Sequence, residues 1–134
     1  MTPFSLKIVT PDGVQFDGQA EELIVRTTSG DLGILAGHTN CVAPLGMGRA
    51  TIVVDGKPHY GACIGGMVSV LNGTVKLVPT TFEWADKIDS YRAEATYQKA
   101  QNVLQNKDAT ATDIRLAEAR LRRALVRKSV AGSK

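Results

Sequence analysis

Asp89 and Arg92 stand three residues apart in Ile88-Asp89-Ser90-Tyr91-Arg92-Ala93, opening a stretch that continues to Ala131 without Gly or Pro. On a helix that spacing makes a carboxylate and a guanidinium neighbours on one face. A second charged element, Arg122-Arg123-Ala124-Leu125-Val126-Arg127-Lys128, follows near the C-terminus, with Arg123 and Arg127 four apart. If the two helices close antiparallel, the start of the first lies beside the end of the second, and Asp89 and Arg92 come near Arg123 and Arg127. Such a cluster can hold something polyanionic. The plainer alternative is that Asp89 favours a helix N-terminus and pairs with Arg92 for about 0.2–0.5 kcal/mol, while the arginines form a solvated face.

Other chemistries find little support. Gly30-Asp31-Leu32-Gly33 is too short for a P-loop, and no Ser/His/Asp order, cofactor loop or metal-ligand cluster occurs. His38 and His59 are isolated, so no metal site is expected, and His38 reads as a loop or packing residue. Cys41 and Cys63 lack a CxxC spacing and lie in apolar stretches, which points to free buried thiols. The chain is not expected to be an enzyme. The alternative of a different class is a nucleic-acid-binding module using the basic last helix, since several Lys/Arg give affinity through counterion release. Against it, no aromatic follows Tyr97 to stack a base, and the rest of the chain is slightly acidic.

The elements that must position these residues change character near residue 85. Phe4-Ser5-Leu6-Lys7-Ile8-Val9, Glu22 to Arg26, Ala50 to Val54 and Thr74 to Val78 alternate with period two, one face buried and one wet. Pro11-Asp12-Gly13, Ser29-Gly30-Asp31, Asp55-Gly56-Lys57-Pro58 and Asn72-Gly73 are turn sequences that force short antiparallel connections. Short strands and frequent turns indicate a β-sandwich or barrel. After Trp84, Ala93, Tyr97, Ala100 and Leu104 form one helical stripe, and Ile114, Ala117, Leu121, Ala124 and Leu125 another. Asn106 to Thr110 interrupts them, and Thr110 or Thr112 is expected to cap the second helix. The result is an antiparallel hairpin, residues 86–134, appended to a β domain, residues 1–85. Because its inward positions are largely Ala, each buried methyl contributes far less than a Leu or Phe would. Well-formed but weakly docked helices suit a switch.

Composition agrees with a folded domain: 134 residues, 43% hydrophobic and 22% charged. Residues 1–106 carry eight Lys/Arg against ten Asp/Glu, while residues 107–134 carry eight against three, so the basic character belongs to the last helix. The start MTPFSLKIVTPDG shows no signal-peptide pattern and no run is long enough for a membrane span, so the chain is expected to stay in the cytosol.

Several separated motifs resemble the epsilon subunit family of bacterial F-type ATP synthases, over essentially the full length. They are Val9-Thr10-Pro11-Asp12-Gly13, the run Ser29-Gly30-Asp31-Leu32-Gly33-Ile34-Leu35-Ala36-Gly37-His38, Val42-Ala43-Pro44-Leu45, Gly65-Gly66-Met67-Val68-Ser69-Val70 and Ile88-Asp89-Ser90-Tyr91-Arg92-Ala93. The last is similar to the family's ATP-recognition motif. The resemblance implies a ten-stranded β-sandwich followed by a helical hairpin, on the central stalk at the cytoplasmic face of the plasma membrane. Its implied partners are the gamma subunit and the c-ring, with alpha and beta subunits contacted when the hairpin extends. The hairpin is implied to permit turnover when folded down and to obstruct ATP hydrolysis when extended. Two departures stand out: Ala36 replaces a usual Pro, and Lys99 stands where nucleotide-binding members carry Arg, offering a point charge instead of a planar fork.

By the same resemblance, Glu83, Ile88, Asp89 and Ala93 would face adenine. Arg92, Arg123 and Arg127 would engage phosphates, with Lys99 assisting. The chemistry is suitable, because an exocyclic amine donates to a carboxylate and phosphates take charge-assisted bonds from arginine. ATP would then be a regulatory ligand and not a required cofactor. Trp84, beside Glu83, is the expected fluorescence probe.

Overall fold

A computed structural model describes residues 1–133; Lys134, the last residue of the expected helical region, lies outside the described residues. Ten strands come first: β1 (Phe4–Thr10), β2 (Gly13–Ala20), β3 (Glu22–Thr27), β4 (Gly30–Ile34), β5 (Cys41–Pro44), β6 (Met47–Val54), β7 (Lys57–Ile64), β8 (Met67–Leu71), β9 (Thr74–Val78) and β10 (Thr81–Trp84). One sheet runs β2-β1-β9-β8-β5 and the other β10-β7-β6-β3-β4. The β-sandwich followed by a two-helix hairpin is therefore the fold.

Period-two alternation explains the layers. In β1, Phe4, Leu6 and Ile8 point inward, and in β3 Leu23 and Val25 do the same from the opposite sheet. With Ile34, Ile52, Val68, Val75 and Leu77 they form one continuous core. The Asp55-Gly56 and Asn72-Gly73 turns place all four residues at positive φ, between 49° and 82°, the geometry of tight two-residue hairpin loops. One pairing departs from the all-antiparallel expectation: β1 runs parallel to β9, Ser5 to Ile8 matching Thr74 to Leu77. The first and ninth strands are remote in sequence, so no hairpin turn constrains their direction.

Gly66 shows why the Gly65-Gly66 pair is required. Its φ is +92°, and a Cβ there would collide with the backbone carbonyl of Val78, which lies on the strand two positions onward. A side chain at this position would push β9 away from the β7–β8 connection.

A short 3-10 turn, Ala85–Lys87, leads into α1 (Ser90–Gln105) and α2 (Ala111–Ala131). The first helix starts two residues later than the motif alone suggests. Ile88 is extended, φ −75° and ψ 126°, and Asp89 is the N-cap. Thr110, not Thr112, caps α2: its side chain accepts from the Asp113 N–H, and Asp113 accepts from the Thr110 N–H, a reciprocal capping box.

The helices meet through small residues, Ala93 and Ala100 on α1 with Ala117 and Ala124 on α2, all buried. Ile114 and Leu125, expected to point inward, are 36% and 45% exposed. Once Ala124 fills the seam, its neighbour Leu125 lies about 100° around the helix and turns outward. The hairpin rests on the sandwich through α2. Val130 is 1% exposed and packs with Ala62 of β7 and Ala85, bordered by Tyr60, Ile88 and Val126. Arg49 of β6 adds an Nη1 donor to Ser133 Oγ at 3.2 Å and lies over the Tyr60 ring.

Candidate functional site

Strand alternation on β10 separates two environments. Phe82 and Trp84 face one side, edge to face with centroids 4.9 Å apart, and Trp84 Nε1 donates to the Gln15 carbonyl. Glu83 therefore emerges on the opposite side, toward the hairpin. Trp84 is consequently bound up in an aromatic cluster with Phe16 and Phe82 and is not placed to contact a molecule beside Glu83.

At the base of the hairpin, Glu83, Lys87, Ile88, Asp89, Arg92, Ala93, Thr96 and Arg127 line one cleft of about 260 Å³. Six of the eight candidate residues meet there: Glu83, Ile88, Asp89, Arg92, Ala93 and Arg127. Lys99 and Arg123 are not among its lining residues. Lys99 lines a separate cleft further along the seam, and Arg123 is half-buried between them on α2. Lys87 and Thr96 were not anticipated. Lys87 directly precedes the motif, and Thr96 lies four residues beyond Arg92 on the same helical face, so face periodicity alone identifies it.

The expected Asp89–Arg92 ion pair is absent among the described residues. As N-cap, Asp89 has extended backbone, φ −79° and ψ 99°, which aims its carboxylate at the helix's own amides. Its Oδ1 accepts the Arg92 backbone N–H at 3.0 Å. This satisfies one of the four otherwise unpaired amides of the first turn and leaves the Arg92 guanidinium, on an exposed residue, uncommitted.

Arg127 has a partner instead in Glu83, its Nε donating to Oε1 at 2.7 Å with both side chains roughly one-third exposed. Only one of the guanidinium's five N–H donors is spent in that bond, so four remain. Glu83 likewise keeps its second oxygen. The cleft presents carboxylates from Glu83 and Asp89 beside cations from Lys87, Arg92 and Arg127, with Ile88 and Ala93 as apolar wall. A volume below the ~300 Å³ typical of a small-ligand pocket suits one ring system, with attached anionic groups lying outside over the cations.

Beside the cleft, Lys128, the residue after Arg127, bridges α2 to Glu94 of α1 and sits 4.2 Å from the centre of the Tyr97 ring. The Gln98 amide, then Lys128, hold the Glu94 carboxyl below its usual range. The two helices are thus tied by this pair near the cleft, while Ala contacts continue the seam.

Among the described residues there is no group of three or more His, Cys, Asp or Glu able to hold a metal, and no helix is long and apolar enough to cross a membrane. Cys63 is buried as expected, and burial pushes its thiol up to about 12. Cys41 is only half-buried, because β5 is an edge strand with alternating exposure.

A sandwich carrying a helical hairpin with a polar cleft at its base defines the class, and comparison with known proteins gives the family. The profile of the ATP synthase delta/epsilon chain beta-sandwich domain matches residues 3–85, and that of the delta/epsilon chain long alpha-helix domain matches residues 86–132. The chain belongs to the ATP synthase delta/epsilon family, as an epsilon chain of the F-type enzyme, a non-catalytic subunit. The ATP synthase epsilon chain of Bacillus subtilis is 46% identical over 132 residues, covering 98% of this chain and 99% of that one. That of Bacillus velezensis is 42% identical over 133 residues, covering 99% and 100%. Among solved structures, a chain of the Euglena gracilis mitochondrial ATP synthase OSCP/F1/c-ring assembly superposes with a TM-score of 0.84 at 20% identity, covering 96% of this chain and 81% of its own. A chain of the Tetrahymena thermophila mitochondrial central stalk and c-ring gives 0.61 at 16% identity, with 95% of each covered. These two likenesses speak to the fold.

Proposed function

We propose that this epsilon chain works on the central stalk, at the cytoplasmic face of a bacterial plasma membrane, where its sandwich connects the gamma subunit and c-ring. Its hairpin is a brake that ATP holds in the folded position. The observation that carries the reading is the cleft joining Glu83 and Asp89 to Arg92 and Arg127, since three separate elements contribute and only the closed hairpin assembles them. In this reading the adenine amine donates to carboxylate oxygens, Ile88 and Ala93 cover the ring, and Arg92 and Arg127 take the phosphates. Arg123 and Lys99, outside the cleft lining, act at longer range along the phosphate chain.

Linkage sets the direction of regulation. A ligand bound only by the closed hairpin stabilises that state by about 2.7 kcal/mol at a hundredfold excess over Kd. The small-residue seam keeps docking modest enough for that free energy to matter. When ATP falls, the hairpin opens and α2, the more basic of the two helices, meets acidic surface on the alpha and beta subunits. Deleting residues from 88 onward raises ATP hydrolysis by the assembled enzyme if the hairpin is the brake. Unchanged hydrolysis in the truncated complex refutes that role.

A further inference from the structure

On the face of β10 away from Glu83 lies a cleft of about 560 Å³, larger than the one at the hairpin base. Phe16, Tyr60 and Trp84 give it aromatic walls, and Val54 and Pro58, on either side of the Asp55-Gly56 turn, complete the apolar lining with Ala85. These walls are fixed before any guest arrives. Trp84 Nε1 donates to the Gln15 carbonyl at 3.3 Å, Phe16 packs edge-on against Trp84, and the Gly56 N–H donates to Glu21 Oε1 at 2.6 Å, pinning the turn. A preformed aromatic cleft of this volume falls within the roughly 300–1,000 Å³ of small-molecule sites.

Two features decide what the cleft accepts. With histidine neutral, Asp86 and Lys87 are its only charged lining residues, one of each sign; both are exposed, and neither enters an ion pair among the described residues. A purely anionic or purely cationic guest satisfies one of them and is repelled by the other, so the charge complement is a zwitterion. The second feature is Ser133, two residues beyond the end of α2, which lines the cleft and accepts from Arg49 Nη1. Tyr60 and Ala85 likewise belong both to the cleft and to the Val130 contact that docks the hairpin. The cleft is complete only while α2 is docked.

We infer that this cleft binds a compact aromatic zwitterion, of the chemical class of a free aromatic amino acid, and that the bound molecule favours the docked hairpin. The ring packs offset or edge-on among Phe16, Tyr60 and Trp84, the ammonium meets Asp86, and the carboxylate meets Lys87. The inference does not rest on nucleotide binding: Lys87 lines both clefts, but Phe16, Trp84 and Ser133 are absent from the cleft around Asp89. By linkage, the hairpin gains a second ligand that holds it down.

Trp84 is the single tryptophan, so an isotope-labelled full chain gives one indole N–H resonance, and that resonance reports on this cleft. Titration with unlabelled L-tryptophan, indolepropionate, which lacks the ammonium, and tryptamine, which lacks the carboxylate, tests the inference. The expected result is a saturable shift with L-tryptophan and binding about two- to fivefold weaker for each analogue, the size of one solvent-exposed ion pair. Asp86→Asn should erase the advantage over indolepropionate, and Lys87→Gln the advantage over tryptamine. Trypsin cleavage after Arg127 and Lys128, which needs the hairpin open, should slow by up to about tenfold at a tenfold excess over Kd. No saturable shift of the indole resonance overturns the site. Equal affinity for all three probes, or an advantage that survives both substitutions, overturns the zwitterion assignment, and saturable binding with unchanged cleavage overturns the link to the hairpin. None of these outcomes bears on the cleft around Asp89.

Discussion

Val130 is the apolar anchor that docks the hairpin on the sandwich, and its truncation to Ala isolates that contact. The side chain is 1% exposed and meets only small partners, Ala62 and Ala85, with Tyr60, Ile88 and Val126 around them. Val130→Ala removes two buried carbons, worth about 1.6 kcal/mol at about 0.8 kcal/mol each, and any unfilled cavity adds to the loss. Undocking is then favoured by about fifteenfold. Arg127 and Lys128 lie in the adjoining turn and are half-buried in the docked state, so trypsin reaches them only after opening. Where opening and closing are fast, cleavage tracks the open population. The expected outcome is about fifteenfold faster cleavage after Arg127 and Lys128, with cleavage after Arg26 and Lys7 in the sandwich unchanged. An increase below twofold, or a parallel rise at the sandwich sites, would falsify the assignment of Val130 as a local anchor.

Thr110→Ala removes the side-chain half of the α2 capping box and is expected to destabilise the hairpin by about 1 kcal/mol, read as a lower thermal midpoint, with Thr110→Ser restoring most of it. Thr112→Ala should change little. Cys63 gives a pH-dependent signature: its thiol stays neutral in the folded chain up to about pH 12, while the unfolded chain ionises near its ordinary value. Above about pH 9 the unfolded state binds fewer protons, so stability falls with rising pH, by up to about 1.4 kcal/mol per unit. Denaturant titrations of Cys63→Ala, compared with the unmodified chain between pH 8 and 11, should show a shallower decline; identical slopes contradict the burial account.

Much of this fold was legible because alternation and turn chemistry act locally. Strands β1, β3 and β9 match the expected segments within two residues, and Asp55-Gly56 and Asn72-Gly73 form the tight turns their types require. Strand β2, Gly-Val-Gln-Phe-Asp-Gly-Gln-Ala, was illegible by pattern, since it is a sheet edge with little of its surface buried. Strand β7 hides behind Pro58, which sits at the second position, and its Ala62 and Cys63 are buried on both faces, one against Val130 and one in the sandwich core. The parallel β1–β9 pair depends on long-range packing that no local signal carries.

The candidate site shows the same division. The helical spacing of Arg92 and Arg127 and the antiparallel closure were enough to bring those side chains to one cleft. What spacing could not give was the partner of each charge. Asp89 bonds an amide because capping geometry overrides the side-chain pair, and Arg127 bonds Glu83 because β10 delivers it from the sandwich. Lys99, where the chain departs from the resemblance, lies two turns from Arg92 and lines the neighbouring cleft instead.

The central claim, that ATP holds the hairpin closed through this cleft, meets its most direct test in the same proteolysis assay with nucleotide present. At a hundredfold excess over Kd, ATP stabilisation of about 2.7 kcal/mol corresponds to about hundredfold slower cleavage after Arg127 and Lys128. The protection should vanish in Asp89→Ala and in Arg92→Ala. Cleavage indifferent to saturating ATP, or equal protection in Asp89→Ala, contradicts the claim.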